Sequence, residues 1–380
     1  MDESESYGDV KIETLDATDR KCPACGGVMD FSPATGGLKC HYCDHDQTIL
    51  AAEFTETGKP AATMEQDFTS AEETGNCNWG IEKKYVVCKS CGAESVYDIL
   101  QVASGCPYCG SNHVMEASCE KTLVPGGVCI FKIDAKRAGA NFNNWLARKW
   151  FCHGDAKKNA KPDAFSGIYL PYWTFDVDTT SRYSGKYGHY RMRKIKDRTV
   201  RYTDWRSTRG IHREFINDEL VGGIDPNRRD MSIFSLAEPF NTEDNLVYKP
   251  EYLAGFVAER YSVGLYDAWE KAKMSIAGKL HRNITDKIRR ENRADTSRVH
   301  HVDTIHSNIR YKYLLLPVWV STFKYKNKLY RFVVNGQTGK VGGYAPVSVW
   351  RVAVAVVIAL LVVVIICLVA AQKQLFVGWN

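Results

Sequence analysis

Apolar residues along this chain follow three different patterns, and each predicts a different element. From Val352 to Ala371 twenty residues run with no charge and no strongly polar side chain. A helix of that length spans about 30 Å, the thickness of a bilayer's hydrocarbon core. Between Leu265 and Ile288 apolar residues return about every four positions: Leu265, Trp269, Ala272, Ile276, Leu280, Ile284 and Ile288. Lys271, Lys273, Lys279, Arg282, Lys287, Arg289 and Arg290 fill the opposite face, so a long helix is predicted over roughly 266–292. A shorter helix starts from Asp134 as N-cap, carries Ala138, Phe142, Trp145 and Leu146, and runs to about Phe151. Strands are predicted at Val128–Ile133, at Ile168–Val177 and in several stretches up to Ile216. Residues 231–237 and 250–259 read as helical, and Tyr311–Gly343 as a β-meander turning at Lys326-Asn327-Lys328 and Asn335-Gly336.

Cysteine spacing adds metal chemistry. Eight of the 13 cysteines form four Cys-x-x-Cys pairs: Cys22/Cys25, Cys40/Cys43, Cys88/Cys91 and Cys106/Cys109. Fourteen residues separate the two pairs of each unit, and each cysteine of the second unit lies 66 positions after its counterpart in the first. A Cys-x-x-Cys turn lets two thiolates reach one ion, and Gly26, Gly92 and Gly110 relieve the tight turn that follows. Two such turns joined by a hairpin close a tetrahedral site of four sulfurs, which suits Zn²⁺. Two structural zinc ions are therefore expected, each replacing a core that units of about 40 residues cannot build. Redox-active dithiols are the competing reading, but no thioredoxin-like βαβ pattern surrounds the pairs. His41, His45 and His113 are bystanders on this reading, and Cys77, Cys119, Cys129 and Cys152 match no pair.

The expected architecture is α+β: two N-terminal zinc ribbons, a mixed α/β body with antiparallel strands, and one C-terminal transmembrane helix. The divisions fall at 1–20 (acidic, disordered), 21–50 (first ribbon), 51–78 (acidic flexible linker), 79–118 (second ribbon), 119–346 (body), 347–372 (transmembrane) and 373–380 (tail). Residues 1–19 carry seven acidic residues and one Lys, with no apolar signal region. The body is thus expected in the cytoplasm, on a single-pass tail anchor flanked by Trp350, Arg351, Lys373, Phe376 and Trp379.

Net charge is a modest +6, but it is unevenly spread. Residues 182–213 hold eleven Lys or Arg and two Asp, with Tyr183, Tyr187, Tyr190, Tyr202 and Trp205 interleaved. Arg182, Lys186, Arg191, Arg193, Lys194, Lys196, Arg198 and Arg201 are the candidate contacts to an anionic surface. Lipid headgroups, an acidic protein, nucleic acid and plain solvent all suit such a surface. A membrane anchor favours lipid or protein over nucleic acid.

Little supports catalysis. There is no Gly-x-Ser-x-Gly elbow and no His-Glu-x-x-His helix. The Gly-Lys pairs are followed by Pro60, Tyr187, Leu280 and Val341, never by the Ser or Thr of a phosphate-binding loop. His300, His301, Asp303 and His306 fit no familiar metal spacing and read as a polar loop and strand. The expectation is a non-enzymatic protein with no small-molecule substrate. Leu170-Pro-Tyr-Trp173 and Leu316-Pro-Val-Trp319 echo each other and suggest a duplicated helix–strand unit, with each proline at a sheet edge or bulge.

The ribbons, the two Leu-Pro-x-Trp segments, Tyr252-Leu-Ala-Gly-Phe-Val-Ala-Glu-Arg-Tyr261 and Val334-Asn-Gly-Gln-Thr-Gly-Lys340 occur in this order. Together they resemble bacterial TFIIB-type zinc-ribbon proteins, a family often labelled primosomal-protein-N′-like. The resemblance covers about Lys21 to Pro346 and implies zinc on the eight paired cysteines. It also implies a bacterial inner-membrane setting and protein partners of SPFH or phage-shock type. The expected function is a membrane-anchored scaffold that recruits protein partners, with a membrane-tethered nucleic-acid-binding regulator as the alternative.

Overall fold

The computed structural model describes residues 21–49, 62–69, 83–90, 93–98, 106, 111, 114–116, 123–159, 165–195, 198–225, 231–326 and 328–377. The acidic segment 1–20, Cys77, Cys91, Cys109, His113, Cys119, Lys196 and residues 378–380 lie outside them. In chain order the first strands are β1 (Met29–Ser32), β2 (Gly37–Cys40), β3 (Asp46–Gln47), β4 (Gln66–Asp67), β5 (Lys83–Cys88), β6 (Glu94–Asp98), β7 (Val114–Glu116) and β8 (Gly127–Val128). Helices α1 (Ala135–Arg148) and α2 (Gly154–Asn159) follow, then β9 (Ser166–Ile195), β10 (Arg198–Gly222), β11 (Leu246–Val247) and β12 (Val257–Glu259). Last come α3 (Leu265–Glu291), β13 (Thr296–Tyr325), β14 (Lys328–Asn335), β15 (Val341–Gly343) and α4 (Val349–Val377). The fold is mixed α/β and mostly strand. Two compact units divide it: Met1–Lys132 with Ile168–Met231 and Asn241–Pro317, and Ile133–Gly167 with Ser232–Phe240 and Val318–Asn380.

In the first unit the sheet runs β11-β8-β13-β9-β12-β6-β5-β7, with β10 added on β9 and β4 on β13. Two short strands pair in parallel with two long ones: β12 with Ile168 and Tyr169 of β9, and β8 with Leu314 and Leu315 of β13. The Leu-Pro-x-Trp echo marks where each long strand changes partner. Pro171 follows the residues that pair with β12 and precedes Tyr172, where pairing with β10 begins. Pro317 likewise follows the residues that pair with β8 and precedes Val318, where pairing with β14 begins. Neither proline is on an edge strand, contrary to expectation. At each handover one of these ladders ends before the proline and the next begins after it, so the missing N–H interrupts neither of the two. The tryptophans repeat the pattern. Trp173 Nε1 donates to Val263 O at 2.9 Å and Trp319 Nε1 to Ile133 O at 3.0 Å, and each acceptor lies six residues after the start of its short strand.

α3 forms as its periodicity predicts, and all seven residues of the expected stripe are buried. Burying each large apolar side chain contributes about 1.5–3 kcal/mol. The helix lies against β10, where Asn283 donates to Glu214 at 2.8 Å and Lys279 pairs with Glu219. Along β9 odd-numbered residues from Val177 to Gly185 are buried and Arg182, Ser184 and Lys186 are exposed. β13 begins fifteen residues before the predicted meander, so the His300–His306 segment is strand.

Both cysteine modules rest on the segment Ala254–Arg260 within this unit. Phe31 of β1 donates its N–H to Ala254 O at 3.1 Å, and its ring meets Tyr252 and Phe256 at 6.0 and 6.3 Å. β6 of the second module pairs antiparallel with Ala258 and Glu259. The fully buried Glu259 carboxylate accepts from Glu94 N at 3.1 Å and Ser95 Oγ at 3.3 Å. Residues 250–259 were expected to be helical, but only Pro250–Leu253 makes a 3₁₀ turn. Gly255 then adopts φ +78°, which ends the turn and sends the chain into β12.

Two other expectations change. The strand predicted at 128–133 pairs only at Gly127 and Val128, because Phe131 leaves the ladder to stack on Phe256 at 4.4 Å. Part of the segment read as a flexible linker is held fast. Thr63 N donates to Asn245 Oδ1 at 2.8 Å, Glu65 pairs with Arg310 at 2.9 Å, and Phe68 packs on Tyr266 at 5.3 Å and Trp269 at 5.8 Å.

In the second unit α1 begins at Asp134, whose carboxylate accepts from Arg137 N at 2.7 Å, and ends at Arg148 rather than near Phe151. Ala138, Phe142 and Leu146 are its buried face, and Phe142 stacks on Phe332 of β14 at 3.8 Å. The fully buried Asn335 closes the loop between β14 and β15. Its Oδ1 accepts from Gln337 N and Thr338 N at 2.8 and 2.9 Å, and its Nδ2 donates to Ala237 O and Pro239 O at 3.0 and 3.1 Å.

The docking segment yields a test in the full chain. A Cβ at Gly255 would stand 2.8 Å from Asp30 Cγ on a left-handed backbone. Gly255→Ala should therefore lower stability by about 1–2 kcal/mol and speed proteolysis within residues 21–49. Gly264→Ala, with nothing within 4 Å of its Cβ position, should change stability by less than about 0.5 kcal/mol. Chemical denaturation and limited proteolysis check both.

Candidate metal centre and apolar helix

Residues 21–47 are too few for a hydrophobic core, and Met29, Phe31 and Leu38 are the large apolar side chains buried there. The backbone compensates by building two tight turns. Cys22 N donates to Gly27 O at 2.7 Å and Gly26 N to Cys22 O at 2.8 Å; Cys40 N donates to His45 O at 2.9 Å and Asp44 N to Cys40 O at 3.1 Å. Gly26 and Asp44 sit at φ +72° and +57°, the left-handed corner that each turn requires. The two turns bring together the Sγ atoms of Cys22, Cys25, Cys40 and Cys43, all within 4.8 Å of one another. The Cys22–Cys43 and Cys25–Cys40 separations are 3.4 and 3.5 Å. Four thiolates about 2.3 Å from one ion stand about 3.8 Å apart in a tetrahedron. The residues present fit a metal ion with a closed sulfur shell.

The electrostatics of the four thiols agree. Burial opposes ionisation of Cys40, but the N–H groups of Tyr42 and Cys43 and the neighbouring thiols outweigh it and bring it down to about 7. The His45 N–H favours the Cys43 thiolate, yet competition with the Cys22 and Cys25 thiols pushes Cys43 up to about 12. Thiols this close cannot all ionise unless a cation balances them. His41 turns away from the cluster, with Nε2 3.1 Å from Asp30.

The second cysteine unit repeats the turn. Cys88 N donates to Ala93 O at 2.9 Å and Cys106 N to Ser111 O at 2.8 Å, the same five-residue closure as in the first unit and 66 positions later. Cys88 and Cys106 are buried; Cys91 and Cys109 lie outside the described residues.

α4 is the other outstanding feature. Its segment Val349–Cys367, 19 residues, is long and apolar enough to cross a membrane, and none of it is buried. Its first turn is nonetheless fastened to the second unit. Ser348 N donates to Phe151 O at 2.8 Å, and Arg351 Nη1 donates to Trp150 O and Cys152 O, both at 2.9 Å. Trp150 and Trp350 flank the junction with 76% and 77% of their surface exposed. Trp350 and Arg351 were anticipated as flanks. The Trp150–Cys152 loop was not, because nothing in its spacing separates it from the end of α1.

The basic residues fall on a β-ribbon. The Gly188–Asp295 pair, with Asp295 N on Gly188 O at 3.1 Å, marks where β13 begins beside β9. Beyond it β9 and β10 continue as a two-stranded tip about 20 Å long, taking about 3.3 Å per residue over six residues. Arg191 and Arg193 share one face of the tip with Val200 and Tyr202, while Lys194 and Arg201 share the other with Met192. Arg182 and Lys186 lie on the exposed face of β9, opposite α3. The basic residues therefore surround a projection and do not tile one plane. Arg191 pairs with Asp204 at 3.2 Å, and the Arg201 guanidinium covers Tyr190 at 4.4 Å.

No family model matches the chain, and no solved structure matches it. It is similar to the uncharacterized protein YdjG of Bacillus subtilis (strain 168), 26% identical over 346 residues that cover 88% of this chain and 91% of YdjG.

Removing a ligand tests the cluster. Cys25→Ser in the full chain should lower bound metal by about one ion per chain, measured by atomic emission, because three sulfurs cannot close the shell. The backbone signals of residues 21–47 should lose their dispersion while those of α3 keep theirs.

Proposed function

We propose that this protein is a single-pass membrane protein of the bacterial inner membrane, with a cytoplasmic zinc-ribbon body that recruits protein partners. The observation that carries this reading is α4. The 19-residue segment Val349–Cys367 is apolar except for Arg351 and none of it is buried, while its first turn is fastened into a folded unit. Water does not tolerate so large an apolar surface, and lipid covers it at no cost. The two cysteine units each hold one structural Zn²⁺, on Cys22, Cys25, Cys40 and Cys43 and on Cys88, Cys91, Cys106 and Cys109. A closed four-sulfur shell keeps no open position for substrate, so the ions shape a surface and do not catalyse. The sequence resemblance to TFIIB-type zinc-ribbon proteins supports partners of SPFH or phage-shock type.

A second reading rests on the β9–β10 tip, where exposed Met192, Val200 and Tyr202 alternate with Arg and Lys. Such a tip suits a phosphate-bearing surface. In a membrane protein an anionic leaflet is the nearest one, and nucleic acid is the competitor.

Three measurements decide between these readings. The purified chain should contain about two zinc ions, and values near zero remove the ribbon assignment. The full chain should stay in carbonate-washed membranes, whereas a chain ending at Arg351, which keeps its bonds to Trp150 and Cys152, should be soluble and folded. That soluble chain should bind vesicles rich in phosphatidylglycerol and ignore phosphatidylcholine. Arg191, Arg193, Lys194 and Arg201 changed together to Ser should weaken the binding by up to about 4 kcal/mol, taking about 1 kcal/mol per charge. An oligonucleotide that binds far more tightly than the vesicles reverses the order of the two readings.

A further inference from the structure

A cavity of about 650 Å³ opens at the foot of α4 within the second unit. Arg148, Trp150 and Lys157 line it from the α1–α2 region, and Trp350, Val354 and Ile358 from the helix. Its charged lining is entirely cationic, since Arg351 also borders it and no carboxylate does. The three cations are not equivalent. Arg351 is committed, with Nη1 bonded to two carbonyl oxygens of the loop that it braces. Lys157 Nζ donates to Ala147 O at 2.7 Å and keeps two further N–H donors. Arg148 closes the last turn of α1 and, among the described residues, has no carboxylate partner.

We propose that this cavity binds the phosphate headgroup of one anionic phospholipid, with an acyl chain lying along Val354 and Ile358. The two ends of the cavity differ in kind. Arg148 and Lys157 offer charge-assisted donors to a phosphate. Val354 and Ile358 stand one and two turns farther along the apolar helix and offer hydrocarbon contact. An occupant that satisfies both ends carries an anion and a hydrocarbon chain, which a free phosphate does not. The two exposed tryptophans bordering the cavity take the position that aromatic side chains occupy at the headgroup level. Arg351 sets the mouth of the site by fixing the loop to the helix. The site lies at the body end of the span, where a cytoplasmic leaflet supplies anionic lipid.

This inference rests on α4 spanning the membrane, and the experiment separates the two. The full chain is purified in mild detergent, mixed with phosphatidylglycerol, phosphatidylcholine or inorganic phosphate, and examined by native mass spectrometry. One phosphatidylglycerol should be retained under conditions that strip phosphatidylcholine. The double variant Arg148→Gln, Lys157→Gln should reduce that retention at least tenfold, with an unchanged thermal melt by circular dichroism as the control for folding. Inorganic phosphate at the same concentration should not displace the lipid. Equal retention of the two lipids, or undiminished retention in the variant, overturns the proposal. Displacement by inorganic phosphate overturns it too and makes the cavity a soluble-anion site. Carbonate extraction of the same chain reports on α4 alone: a pelleted chain without lipid preference sinks only this inference, and a chain that does not pellet sinks the anchor reading with it.

Discussion

Seven residues, Ala254 to Arg260, carry a requirement that neither cysteine module meets by itself. A unit of about 40 residues buries too little apolar surface to hold its own shape. The closures around the cysteines fix only the turns, and the strands beyond them need something to lie on. The first module uses the carbonyl of Ala254 and the rings around Phe256; the second uses the backbone and carboxylate of β12. One short stretch thus serves two repeats related by 66 positions, and it does so with different chemistry for each. That explains why the segment packs Gly255 at a positive φ beside a fully buried glutamate: the turn frees the backbone for one module and the acid satisfies N–H and O–H donors of the other.

The central sheet meets a different constraint. Its two longest strands run 30 residues each, and the short strands β12 and β8 cover only two residues of either. β9 and β13 change partners at Pro171 and Pro317, and a tryptophan two residues on pins each handover to a backbone carbonyl. The same four-residue pattern at two places gives the same solution twice.

Local pattern was legible in the sequence, and pairing was not. The stripe of α3 was readable because its period of four is a property of one helix, and every residue of it is buried. The cysteine turns were readable because their chemistry is local, down to the Gly26 that follows Cys25 at a positive φ. Pro250–Glu259 misled because Tyr252, Leu253 and Phe256 are spaced as on a helix, while the deciding residue, Gly255, acts through its backbone angle. The pinned segment around Phe68 was hidden by its acidic setting; the aromatic residues that receive it, Tyr266 and Trp269, lie about two hundred positions away. The brace made by Arg351 was invisible for a related reason. An arginine before an apolar run reads as a headgroup contact, and only the fold reveals that its guanidinium is spent on the Trp150–Cys152 loop.

β8 pairs with residues of β13 that lie 187 positions later, so the sheet cannot close until most of the chain exists. Contacts so distant in sequence form slowly and leave strand edges exposed meanwhile. The order of the chain works against that hazard. Among the described residues the last strand ends at Gly343 and α4 begins at Val349, so ribosomal synthesis delivers each of those strands before the apolar helix. The described strands are all synthesised while no sticky helix is yet available to compete for them.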